Sequence, residues 1–129
     1  MEQCKLLAFL LCEKATAGPD GKVTLQGLFD RIIIPKTPTT SKLIFVFYKV
    51  VVKQPCIVSL KVVDSTGRDI RGNWRDVLSE IGPTQAVWAL SSKLFRLPGP
   101  HVLELKQEAE GAETIPLSST VLYVDQQDR

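Results

Sequence analysis

Apolar and polar residues alternate with a period of two in several short runs of this chain, and other runs are apolar throughout, with turn-forming residues between them. Such alternation is the pattern of strands with one face buried, and it predicts an all-β domain. Cys4–Lys14 reads as a first strand, apolar on both faces and therefore central, and Ala15–Gly21 as a polar turn. Lys22–Ile34 returns antiparallel to it. Gly27 breaks the alternation of that second run, which predicts a bulge with positive φ there. The apolar residues beyond it, Leu28, Phe29 and Ile32–Ile34, are expected to lie deeper in the domain. Lys36–Lys42 reads as a connection, because Pro35 and Pro38 prevent a continued ladder.

Leu43–Lys53 is the most β-prone run, rich in Val, Ile, Phe and Tyr and apolar on both faces. Cys56–Asp64 alternates cleanly, with Cys56, Val58, Leu60 and Val62 on one side, and Ser65-Thr66-Gly67 closes it with a turn. Arg68–Gly82 is the least strand-like region. Asn73 there has the chemistry of a helix cap, and Trp74, Val77, Leu78 and Ile81 share one helical face, so a short helical turn is predicted over 73–81. Thr84–Leu97 reads as one long strand or a strand pair, followed by a tight turn at Leu97–Pro100. His101–Gln107 alternates with Leu103 and Leu105 inward, Glu108–Glu113 forms an acidic hairpin loop, Ile115–Val124 is the last strand, and Asp125–Arg129 is a frayed tail. Seven to eight strands at this spacing predict an antiparallel β-sandwich with Greek-key, immunoglobulin-like connections, a closed barrel being the alternative.

The chain's 129 residues suit one domain of about 100–200 residues, and no repeat, linker or low-complexity stretch divides it. A net charge of +2 is too weak to imply nucleic acid. The charge is unevenly spread: residues 1–75 hold 12 Lys/Arg against 6 Asp/Glu, residues 76–129 hold 4 against 8. Intramolecular neutralisation accounts for that division, with head-to-tail contact between copies as the alternative. Three cysteines, Cys4, Cys12 and Cys56, sit in apolar runs without metal-ligand spacing, as small hydrophobes of a reducing compartment would. Ala15-Thr16-Ala17 after the Leu6–Cys12 run imitates a signal-peptidase site, but Glu2 precedes the run, the run is short, and Glu13-Lys14 sits between it and that site. A cytoplasmic protein is the expectation, without a membrane-spanning segment.

Leu6-Leu7 and Leu11-Cys12, Asp20-Gly21-Lys22, Gly27–Asp30 and Ile32–Pro35 carry a resemblance, continued by Leu97-Pro98-Gly99, Val102–Leu105 and Ile115-Pro116-Leu117. Together they resemble a bacterial family of small soluble proteins of unknown function, marked by an N-terminal LLC…DGK…GLFD.I..P pattern and a closing PG…PL.V pattern. The resemblance spans nearly the whole chain and implies a β-sandwich; it lends no catalytic residue. Pro100-His101 stands where an aromatic residue is usual after the Pro-Gly turn.

Little in the sequence is arranged for chemistry. Asp64-Ser65-Thr66-Gly67 superficially matches an aspartic-protease loop, yet its spacing is one residue too long and a β-turn explains it. His101 is the only histidine, so no histidine cluster can hold a metal, and no serine sits in a nucleophile elbow beside it. Gly18–Lys22 lacks the spacing of a phosphate-binding loop and the helix that must follow one. The segment Arg68–Asp76 is the one candidate recognition loop. Arg68, Arg71, Trp74 and Arg75 are residue types enriched at binding hot spots, with Trp74 as an end plug and Asp69 and Asp76 as neutralising partners the structural alternative.

The function that follows is a binding or assembly module without catalysis or cofactor, taking a protein partner or a second copy of itself. Two other readings compete: a small hydrolase or transferase built on Asp64, His101 or a cysteine, and a binder of nucleic acid or another anionic ligand through residues 68–76. The first requires two titratable groups in one cleft. Nucleic acid is disfavoured by the charge and by the lack of an aromatic-and-basic sheet motif.

Overall fold

Leu43–Val52 forms β4, and its doubly apolar pattern places it between two neighbours in a sheet. In the computed structural model, which describes residues 3–34, 42–108 and 114–126, β4 pairs antiparallel with β1 (Cys4–Ala17) and β8 (Gly82–Ser91). β2 (Val23–Leu28) completes a four-stranded sheet in the order β2-β1-β4-β8. The second sheet runs β3 (Arg31–Ile34), β10 (Ile115–Gln126), β9 (Gly99–Glu108), β5 (Cys56–Val63), with β6 (Asp69–Ile70) and β7 (Arg75–Leu78) both pairing with the free side of β5. The described residues are thus all-β, in ten strands rather than seven or eight. One 3-10 turn, Ser92–Leu94, joins the sheets between β8 and β9.

The two sheets face each other across one apolar cluster. Ile44, Val46, Tyr48, Val50 and Val52 of β4 oppose Val58, Leu60 and Val62 of β5 and Leu103 and Leu105 of β9, all buried as the alternation of the last two runs requires. Burial of an aliphatic side chain contributes about 1.5–3 kcal/mol, so this cluster dominates the stability. Two polar side chains inside it tie the sheets together. The Gln107 amide oxygen accepts from the backbone N–H groups of Gln3 and Cys4, at 2.8 and 3.1 Å, tying β9 to the start of β1. Tyr48 donates its hydroxyl proton to the Asp76 carboxylate, linking β4 to β7. Burial, reinforced by that bond, pushes the Tyr48 phenol far above its ordinary pKa, so it remains a donor.

Three expectations from the sequence are corrected. The helical turn over 73–81 is absent: residues 75–78 are strand β7, held to β5 by the pairs Ser59↔Arg75 to Cys56↔Leu78. Its apparent helical face dissolves, since Val77 and Ile81 are exposed while Trp74 and Leu78 turn to the core. Lys22–Ile34 is two strands in different sheets, and the second runs parallel to β10, so the six-stranded sheet is mixed. Leu28 and Ile33 are exposed rather than deep.

Gly27 has the positive φ expected of it, +69°, yet the β1–β2 register passes it without a shift. The bulges lie elsewhere, between Leu6 and Ala8 in β1 and between Pro116 and Ser118 in β10. Gly27 acts instead where the chain leaves one sheet for the other. Beyond it, the Phe29 N–H reaches the Leu11 carbonyl, and the Asp30 carbonyl accepts from the Tyr123 N–H at 2.7 Å. Residues 36–41 of the expected connection, 109–113 of the acidic loop and 127–129 of the tail lie outside the described residues.

Gly27→Val should therefore destabilise the protein by about 1–3 kcal/mol, the cost of a β-branched residue at such a φ. A Cβ there also meets the Glu13 carboxylate at 2.7 Å, although that flexible side chain can move aside. Urea denaturation of both proteins measures the difference, and an unchanged midpoint would show the position unstrained.

Candidate functional site

The turn after β5 is built by one carboxylate. Asp64 Oδ1 accepts from the Thr66 N–H (2.9 Å), the Thr66 hydroxyl (2.6 Å) and the Arg68 N–H (3.0 Å), while the Asp64 N–H donates to the Arg68 carbonyl. The β-turn read from the sequence is thus present. The Thr66 hydroxyl is the main reason the Asp64 carboxyl is held below its ordinary pKa. Its folded pKa being the lower one, the stability it contributes is complete above the unfolded value and fades as pH falls through the folded value.

A second turn packs on the first. Gly99, with φ +112°, lies so close to Ser65 that a Cβ would come within 2.9 Å of the Ser65 Cβ. The register Val63↔Val102 brings the two turns to the same end of the six-stranded sheet. Between them opens a cavity of about 270 Å³, lined by Asp64, Arg68, Ile70, Leu94, Arg96, Leu97 and His101. His101 occupies the place after the Pro-Gly turn as a wholly buried ring, edge-on to Phe95 with centroids 5.4 Å apart. Its Nδ1–H donates to the Gly99 carbonyl at 3.1 Å, and its Nε2 has no hydrogen-bond partner. Asp64 and His101 therefore share one cavity, as an acid–base reading requires. No hydrogen bond joins them, and the lining holds no serine, threonine or cysteine to act as nucleophile.

The four residues singled out in the sequence are not gathered together. Arg68 lines this cavity. Arg75 is ion-paired with Glu108 at 2.8 Å on the outer face of the six-stranded sheet. Trp74 packs against the core and folds its indole over Gly72, where a Cβ would stand 2.2 Å from the ring. Arg71 is exposed. Arg96 and His101, the residues that join Arg68, come from about 30 positions further along; only the pairing of β5 with β9 shows their proximity.

A second feature is the outer face of the four-stranded sheet. The register aligns Leu28, Cys12, Phe45 and Ala89 in one row across all four strands, and Leu10, Phe47 and Val87 in the next. Phe47 is 7% exposed and Cys12 fully buried although neither belongs to the core cluster; Leu10, Leu28 and Leu43 around them are 38–61% exposed. The corresponding face of the other sheet carries Lys61, Glu104, Lys106, Glu108 and Arg75 together with the valine row Val63, Val102 and Val121 and the exposed apolar residues Ile33, Val77 and Tyr123. All three cysteines are buried. Among the described residues no group of His, Cys, Asp or Glu is placed to hold a metal ion, and no helix is long and apolar enough to cross a membrane.

Residues 7–119 match a family of unknown function, DUF6941. The chain belongs to that family. This agrees with the resemblance drawn from the sequence, at the level of a family without an assigned function. No curated protein matches the chain. Among solved structures, the crystal structure of the C-terminal domain of wzt superposes with a TM-score of 0.57 at 12% identity, over 98% of this chain and 76% of that one. That of the "Putative ApaA Protein" from Bordetella pertussis gives a TM-score of 0.39 at 9% identity, over 93% of this chain and 95% of that one. The likeness to the wzt domain shows a shared fold and no more.

Two measurements probe these placements. Burial pushes the Cys12 and Cys56 thiols above their ordinary pKa, which disfavours the reactive thiolate. Alkylation followed by mass spectrometry should label Cys4, Cys12 and Cys56 slowly in the native protein and rapidly in denaturant; rapid native labelling of all three would contradict their burial. Thr66→Ala should raise the Asp64 pKa, read from carboxyl carbon shifts during an NMR pH titration.

Proposed function

We propose that this DUF6941 protein is a non-catalytic assembly module of the cytoplasm, docking through the outer face of its four-stranded sheet on a second copy of itself. The two sheets form a Greek-key, immunoglobulin-like sandwich on this reading, with β2–β3, β4–β5, β7–β8 and β8–β9 among the crossings that carry the chain between them. One observation carries the functional reading: β4 is apolar on its outer side as well as its inner side, in rows that continue across the neighbouring strands.

An antiparallel sheet facing water ordinarily alternates apolar-in and polar-out. Leu10, Leu28, Leu43 and Phe45 break that rule together and form a contiguous patch of the kind that marks protein contacts. Covering each leucine completely contributes up to about 1.5–3 kcal/mol, against the 4–15 kcal/mol that association costs in lost freedom. Three or four such side chains are therefore near the threshold, and doubling the patch by two-fold symmetry moves the balance toward a dimer. Cysteines packed into the interior as small hydrophobes suit a reducing compartment. The loop 71–75 stands apart from this face, on the edge of the other sheet.

Sedimentation equilibrium tests the reading. The wild type is expected to dimerise, and Leu10→Lys with Leu28→Lys, both at exposed positions, to give a folded monomer. A wild type that stays monomeric at high concentration removes the second copy as the occupant. A double variant that dimerises as tightly as wild type removes this face.

A further inference from the structure

The cavity between the two turns has no part in the assembly reading, and its lining is unusual for a surface hollow. Two arginines, Arg68 and Arg96, line it, and neither forms an ion pair with a carboxylate among the described residues. Arg96 is steadied by its Nε–H, which donates to the Lys93 carbonyl at 3.1 Å. The one acid in the lining, Asp64, has Oδ1 committed to three donors of its own turn. His101 is fully buried in the wall with Nε2 unpartnered, a state that costs free energy unless something at the site answers it. Ile70, Leu94 and Leu97 supply an apolar side.

We propose that this cavity binds a small phosphate monoester, its phosphoryl group held by Arg68 and Arg96 and its organic part against Ile70, Leu94 and Leu97. Guanidinium forks match phosphate oxygens in pairs, and two forks suit a dianion better than a single carboxylate. The site is preformed. The Asp64 turn is fully hydrogen-bonded, and Gly99 lies directly against Ser65, so binding does not have to order the rim. About 270 Å³ is slightly below the ~300–1,000 Å³ of drug-sized pockets, which limits the ligand to a phosphate with a short body and excludes a polymer chain from the interior. His101, held in the cavity wall by its Nδ1–H bond to the Gly99 carbonyl, lies where its ring senses an occupant of the cavity.

The lone histidine gives an unambiguous reporter. Protein labelled with ¹⁵N-histidine is titrated with inorganic phosphate and with butyl phosphate at constant ionic strength, with chloride as control. Saturable shifts of the His101 ring resonances are expected with both phosphates, with butyl phosphate the tighter, and none with chloride. In Arg68→Gln with Arg96→Gln, at exposed positions, affinity should fall at least about tenfold, the loss of one charge-assisted hydrogen bond or more. Arg71→Gln should bind as wild type. Absence of saturation, an equal response to chloride, or undiminished binding by the double variant overturns the site. Equal affinity for the two phosphates overturns the monoester assignment, leaving a bare oxyanion. Backbone amide spectra of each variant, matching wild type away from the substitutions, verify that the fold is intact.

Discussion

The inner row of β4 is the constraint on which the rest of the structure depends. Ile44, Val46, Tyr48, Val50 and Val52 stand at alternate positions, all buried, and each must find cover from the opposite sheet. Tyr48 adds a polar demand at the centre of that row. Its ring lies 4.7 Å from that of Trp88 in β8, and its hydroxyl reaches Asp76 in β7, so one side chain engages a neighbouring strand and the facing sheet. Gln107 repeats the device from the other side, giving its amide oxygen to the first N–H groups of β1. A buried tyrosine hydroxyl or amide without a partner costs roughly 1–3 kcal/mol, so these two ties fix how the sheets align as well as hold them together.

What was legible in the sequence follows from the range of the interactions concerned. Cys56–Val63 and His101–Gln107 were readable because alternation is local and one face of each strand meets the same core. The positive φ of Gly27 was readable from a glycine breaking an alternating run, but not its consequence: a change of sheet needs the partners Leu11 and Tyr123, at the far ends of the chain. Residues 71–78 misled for a physical reason. β6 and β7 are two pieces of edge pairing along β5, separated by a detour in which Trp74 folds over Gly72 while its carbonyl accepts from the Leu60 N–H. That detour shifts the apolar spacing, and the result imitates a helical face. The parallel pairing of β3 with β10 leaves no local trace at all.

The same division applies to the sites. The apolar outer face of β4 could be read from composition, because a run such as Leu43–Val52 has no polar side to offer. The cavity could be read only in part. Arg68 stood out within an arginine-rich loop, but the loop disperses its other members: Arg75 to Glu108, Trp74 to the core, Arg71 to solvent. Arg96 carried no local signal, and His101, noted as the lone histidine, gave none that placed it near Arg68, since only the β5–β9 register brings them together.

The segment that walls this cavity is also one of the crossings between the sheets. Leu94, Arg96 and Leu97 follow β8 of one sheet and lead into β9 of the other, and Phe95 between them is wholly buried against the His101 ring. The crossing is closed at its start by a pair of hydrogen bonds, Lys42 N–H to the Ser92 hydroxyl and Ser92 N–H to the Lys42 carbonyl. A side chain as large as Phe95, inserted in the core, fixes where the residues on either side of it can point, so Leu94 and Arg96 are presented by packing rather than by a free loop. The cavity therefore inherits the rigidity of the core at the cost of an unpartnered histidine nitrogen. A fold that needs only to close its end has a simpler solution in an apolar ring at position 101, which leaves no buried nitrogen to satisfy.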